Sequence, residues 1–203
     1  MITADQIGYE CEIQENISVE ELRKSYSDGI IIWLNASGTS SYAKTGKYRC
    51  VLDYRGSIKY IEKNGLEVTA NQAMILGAID ATKCVNKPVR IYLVAPTALG
   101  FSTAFKGKGA NCSLIQQLYE EIKEKNCVFT EVQYLNGGDA IKKFVYSCNP
   151  DKCQRETYDK QQDEKKKYYK KIVYEECILK VEQVLLKHSV DKSILDEIRK
   201  IKP

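Results

Sequence analysis

The sequence predicts an α/β fold, a mixed sheet flanked by helices, followed by an α-helical C-terminal extension. Ile30–Asn35 (IIIWLN) and Val89–Ala95 (VRIYLVA) are unbroken apolar runs of strand length, rich in β-branched residues, as strands buried on both faces are. Between and after them lie stretches whose apolar residues recur every three or four positions, the period of a helix face. After Pro150 neither Gly nor Pro occurs until Pro203, and the composition turns to Lys, Glu, Asp, Gln and Tyr. That shift marks a charged helical tail.

The elements follow in order. Ser18 with Glu21 three positions on is the spacing of a reciprocal cap that satisfies two otherwise unpaired amides, and Leu22 follows to pack. Residues 1–28 therefore read as a strand and helix extension ahead of a main domain over 29–146. Gly29 ends the helix, and residues 30–35 are expected to be the central strand. Ser37–Ser41 form a loop, and YRCVLDY and SIKYIEK flank the Arg55-Gly56 turn of a β-hairpin. From Thr69, the positions Ala70, Ala73, Met74, Gly77, Ala78 and Ala81 describe a helix with a face of small residues, which can lie close to a sheet. Pro88 stops it and Pro96 ends the next strand. Leu114, Leu118 and Ile122 mark an amphipathic helix, CVFTEVQYL a further strand, and Gly137-Gly138-Asp139 the entry to a last helix, AIKKFVY, with Asp139 as its N-cap. In the extension, 147–203, Val173, Cys177, Val181, Val184, Leu185 and His188 share a helical face, and Asp191 can cap a final short helix.

Composition bounds the function. The 203 residues, 43% hydrophobic and 29% charged, suit one core plus an appendage. No apolar run reaches the roughly 18–20 residues of a membrane span, and MITADQIGYECEIQ lacks the basic and apolar regions of a secretory leader, so a cytoplasmic protein with no membrane partner is expected. Eight cysteines in a chain of this size are expected to be reduced and mostly buried. Cys148 and Cys153 are spaced C-x4-C, but no second pair or His cluster completes a zinc site, and the single histidine, His188, reads as a helix residue. The net charge of +4 permits a nucleic-acid partner without requiring one.

The series strand, hairpin, helix, strand, helix, strand, helix over about 29–146 resembles the ribonuclease H family, which places a mixed five-stranded sheet between helices. TANQAMILGAI (69–79) resembles the family's first major helix, which contacts the minor groove of an RNA–DNA hybrid and carries a catalytic Glu. VRIYLVAPTALGF (89–101) resembles the segment whose strand ends in a metal-binding Asp, and IIIWLNASG (30–38) the first strand, which ends in another. The resemblance implies two Mg2+ ions held by four carboxylates. The chain departs from that pattern: the first Asp falls on Asn35, the Glu on Met74, and the second Asp on Ala95 or Pro96. Asp139 is the possible remnant of the fourth carboxylate, and the histidine that many members carry is missing from Tyr134–Gly138. Asp53, Glu67 and Asp80 would need a rebuilt site to substitute. The reading therefore leans away from an enzyme: no cofactor and no metal, Mg2+ entering only if activity survives.

What the resemblance retains is a surface for RNA, DNA or a hybrid. It would be formed by Ser37, Thr39, Lys44, Lys47, Thr69, Asn71 and Gln72, with Lys106 and Lys108 as a basic handle. KKKYYKK (165–171) mixes cations and aromatic rings but is diluted by neighbouring acids and reads as a solvated helix face. The alternatives are a scaffold that binds a protein partner or a second copy through residues 172–201, and a divergent active ribonuclease H.

Overall fold

Six strands form one mixed sheet in the order β1-β6-β5-β2-β3-β4. They are β1 (Glu10–Gln14), β2 (Ile30–Gly38), β3 (Gly46–Tyr54), β4 (Ser57–Leu66), β5 (Arg90–Ala95) and β6 (Val128–Tyr134). The computed structural model describes residues 1–38 and 45–151, and in the C-terminal part 167–170, 172–173, 176–181 and 183–184. The chain divides into two compact units, Met1–Pro150 and Asp151–Pro203. Among the described residues no helix is long and apolar enough to cross a membrane.

β2 lies inside the sheet, antiparallel to β3 and parallel to β5, and its first five residues are buried. The hairpin forms at Arg55-Gly56, where both residues have positive φ (51° and 85°), the two-residue turn whose twist matches that of the strands. The sequence led to an expected count of five strands. The sixth is β1, which adds in parallel to the open edge of β6, Glu10 opposite Thr130 and Gln14 opposite Tyr134. Its side chains are mostly exposed, so main-chain bonding to β6 holds it there, and residues 1–28 belong to the same unit as the rest of the sheet.

Among the described residues of the first unit, five α-helices cover the two faces of the sheet: α1 (Val19–Ser25), α2 (Ala70–Lys83), α3 (Phe101–Ala104), α4 (Cys112–Glu124) and α5 (Gly138–Ser147). Successive strand residues point to opposite faces, which separates two cores. Ile32, Leu34, Leu93 and Phe129 pack with Met74, Ala78, Leu118 and Ile122 beneath α2 and α4. Ile31, Trp33, Val94 and Val132 pack with Leu22, Ile141 and Val145 beneath α1 and α5. The small-residue face of α2 has the expected effect: a Cβ on Gly77 would stand 3.0 Å from the Tyr48 ring.

Both reciprocal caps form. Ser18 Oγ accepts from Glu21 N at 3.1 Å while Glu21 accepts from Ser18 N at 2.9 Å. Thr69 and Gln72 do the same at the start of α2. Asp139, by contrast, is not the cap of α5. The N-cap is Gly137, without a side-chain bond, and Asp139 sits exposed in the first turn, where its charge still favours the helix dipole. Only Gly fits at 137, because a Cβ there would run into the Tyr134 ring.

The cysteines are more exposed than expected. All described thiols are free, but only Cys50 and Cys127 are buried, while Cys11 and Cys177 are exposed. Cys153 and His188 lie outside the described residues. In the second unit the described residues from Lys167 on are helical, and Tyr168, Tyr169, Val173, Leu179, Val181 and Val184 are all exposed.

Candidate nucleic-acid interface

The end of β2, the start of β3 and the first turn of α2 meet at one end of the sheet. Ser37 and Lys47 are direct partners across the β2–β3 ladder and line a cavity of about 340 Å³ with Gly38, Thr45, Gly46 and Gly65. Gly38 abuts α2: a Cβ there would lie 3.1 Å from the amide nitrogen of Ala70. Thr69, Asn71 and Gln72 are thus carried next to the strand pair. Their roles differ. The Thr69 and Gln72 side chains are engaged in the reciprocal cap, with Thr69 N donating to Gln72 Oε1 at 3.0 Å. Asn71 is exposed and makes no side-chain hydrogen bond among the described residues. Thr39 and Lys44 lie outside the described residues. Lys106 and Lys108 are exposed on the loop between α3 and α4, with no ion pair among the described residues.

The positions matched to metal-binding carboxylates are split between the two faces. Met74 and Ala95, 6% and 1% exposed, are packed in the core beneath α2. Asn35 lies two residues beyond Trp33 on β2 and therefore shares the α5 face. Trp33 pairs with Val94, so Pro96, rather than Ala95, has the parity of Asn35. The first turn of α5 reaches the same place, a Cβ on Gly138 falling 3.6 Å from Pro96. Asn35, Pro96 and the turn carrying Asp139 are what the frame supplies there. An amide, a proline ring and one exposed carboxylate do not fit a pair of hard divalent cations, and no group of three His, Cys, Asp or Glu converges among the described residues.

A cation occupies the neighbouring position. Arg49 lies directly opposite Asn35 across the ladder and is buried. It pairs with Glu62 at 2.9 Å, donates to Tyr146 Oη at 3.0 Å, and stacks over the Tyr146 ring at 4.8 Å. Sequence reading missed this network; the hint was an Arg directly before the apolar run Cys50–Leu52. The acids weighed as substitutes are mostly engaged elsewhere. Asp53, 2% exposed, pairs with Arg23 at 2.5 Å and accepts from Gly56 N at 3.0 Å. Asp80 accepts a short hydrogen bond from Tyr48 Oη, and Glu67 is exposed.

Burial pushes the Cys50 thiol up to about 12 and raises Cys148 and Cys11, which disfavours the thiolate at these three positions.

The chain matches no protein-family model and no curated protein. The geometry therefore stands by itself.

Proposed function

We propose that this is a ribonuclease H-like protein that binds nucleic acid, RNA or an RNA–DNA hybrid, without cleaving it. The observation that carries this reading is the junction of Ser37–Lys47 with the exposed first turn of α2 at Asn71. It juxtaposes a lysine, a hydroxyl and an amide at the end of the sheet where the resemblance puts the nucleic acid, and such groups bind backbone and 2′-hydroxyls by shape. The family likeness is supported by the way the hairpin, the crossover helix and the two following strands assemble into one sheet around β2. Loss of cleavage is supported by the separation of Met74 and Ala95 from Asn35, and by the buried Arg49 cation beside it.

Fluorescence anisotropy of labelled hybrid, RNA and DNA duplexes against salt tests it. Binding is expected to weaken linearly in log Kd with log salt. Lys47→Glu is expected to weaken it on every sequence and to lower the salt slope by about one. Absence of binding at low salt overturns the proposal. Cleavage of the hybrid with Mg2+ or Mn2+ that Asp139→Asn abolishes would restore the enzyme reading. A scaffolding role through 172–201 is the second reading, favoured by the exposure of Val173, Cys177, Val181 and Val184; Leu185 and His188 of that face lie outside the described residues.

A further inference from the structure

At the opposite end of β2 from the Ser37–Lys47 junction, a cleft of about 560 Å³ opens between α1 and the β3–β4 turn. Its cations are Arg23 and Lys24 from the helix and Arg55 from the turn, set against the carboxylates of Asp53 and Glu20. Asp53 is engaged through both oxygens: one takes Arg23 Nε at 2.5 Å and the other accepts from Gly56 N at 3.0 Å. That bond fixes the Arg23 guanidinium by its inner edge. Its two terminal nitrogens make no hydrogen bond among the described residues, and one lies 4.0 Å from where a Cβ of Gly56 would be, so they edge the cleft. Lys24 and Arg55 are exposed and take part in no ion pair among the described residues, and the Arg55 guanidinium lies over the Tyr54 ring, 5.4 Å from its centroid.

Arg55 is the least expected of the three. It holds φ +51°, a left-handed conformation that Asn, Asp or Gly adopts at lower cost in such turns. The backbone there gains nothing from an arginine, and Arg55 is among the residues that line the cleft. The inner wall is apolar, formed by Ile31 and by the Tyr26 ring, which stacks on Tyr92 at 4.4 Å.

We propose that this cleft binds a phosphomonoester, its phosphate held by Arg23, Lys24 and Arg55 and its apolar body laid against Tyr26 and Ile31. Three cationic groups from two sides suit the three terminal oxygens of a tetrahedral dianion better than the two of a planar carboxylate. An arginine anchored by one edge loses little freedom on binding. The site is independent of the nucleic-acid reading, since it shares no residue with that surface.

Calorimetric titration of the full chain with phenyl phosphate tests it, with benzoate and a 5′-phosphorylated oligonucleotide as companion probes. Saturable binding of phenyl phosphate is expected, weakened about tenfold or more in Lys24→Gln/Arg55→Gln, the loss expected when charge-assisted bonds are removed. Both substitutions are at exposed positions, so an unchanged urea midpoint separates lost binding from lost folding. Arg23→Lys, which keeps the charge beside Asp53 but not the fork, should also weaken it. Competition by phenyl phosphate against the 5′-phosphorylated oligonucleotide, lost in the double variant, supports the site and names a nucleic-acid terminus as the phosphate source. Binding of phenyl phosphate without the oligonucleotide supports it and names a small ester. No saturable binding, equal binding of benzoate, or binding indifferent to the double variant overturns it.

Discussion

Gly137 governs how the chain turns from β6 into α5. It is buried, its φ of −83° is open to any residue, and what excludes a side chain is the Tyr134 ring, which is itself locked by a hydrogen bond from its hydroxyl to Ile17 O. Gly137→Ala is expected to destabilise the domain by about 1–3 kcal/mol, the usual cost of overpacking. Urea denaturation would show a lower midpoint with an unchanged slope; an unchanged midpoint would mean that the ring moves freely. The turn itself was legible, since Gly-Gly-Asp ahead of an apolar helix period announces a helix start. Which residue caps it was not, because the choice depends on a ring brought close by the fold. Likewise Asn35 and Met74 could be matched to a motif one by one, but the faces they occupy follow from register, which sets Trp33 against Val94.

Among the elements, the hairpin and α5 are tied by the Arg49 network. Arg49 and Glu62 have 7% and 18% side-chain exposure, so their pairing is little screened. Arg49→Met should cost about 3 kcal/mol, because it takes the cation from Glu62 and leaves it only the hydrogen bonds from Tyr60 and Asn64. Glu62→Gln in the same chain should recover part of that loss, and a double-mutant cycle by denaturation measures the coupling; additive effects would remove the pair from the account of stability. Strands and helices with strong periodicity were readable from the sequence. β1 was not readable as a member of the sheet, since ECEIQ has no buried face to advertise and its place is set by the open hydrogen-bonding edge of β6.

At the scale of the molecule, phenols hydrogen-bonded to carboxylates link parts of the chain that are distant in sequence. Burial first, then a carboxylate acceptor, raises Tyr9 (Glu131), Tyr26 (Glu12), Tyr48 (Asp80) and Tyr92 (Asp28), the last to about 12, above the ordinary 10.0. A raised phenol favours the protonated form in the folded state. Its contribution is therefore complete below the ordinary value and lost as pH rises above it. The urea midpoint should hold steady up to pH 9 or so and fall steeply beyond about pH 10. Tyr48→Phe should make that fall shallower; a profile flat through this range would show that these phenols ionise without unfolding.

The parallel pairing of β1 with β6 also sets an order of events. Tyr9 and Glu131, 122 residues apart, are joined by a hydrogen bond of 2.5 Å that flanks this pairing. The hairpin of β3 and β4 can close within moments of leaving the ribosome, but β1 has no strand to join until β6 has been made. At synthesis rates of about 5–20 residues per second, it waits seconds without its partner, which makes β1 the last strand to find its place.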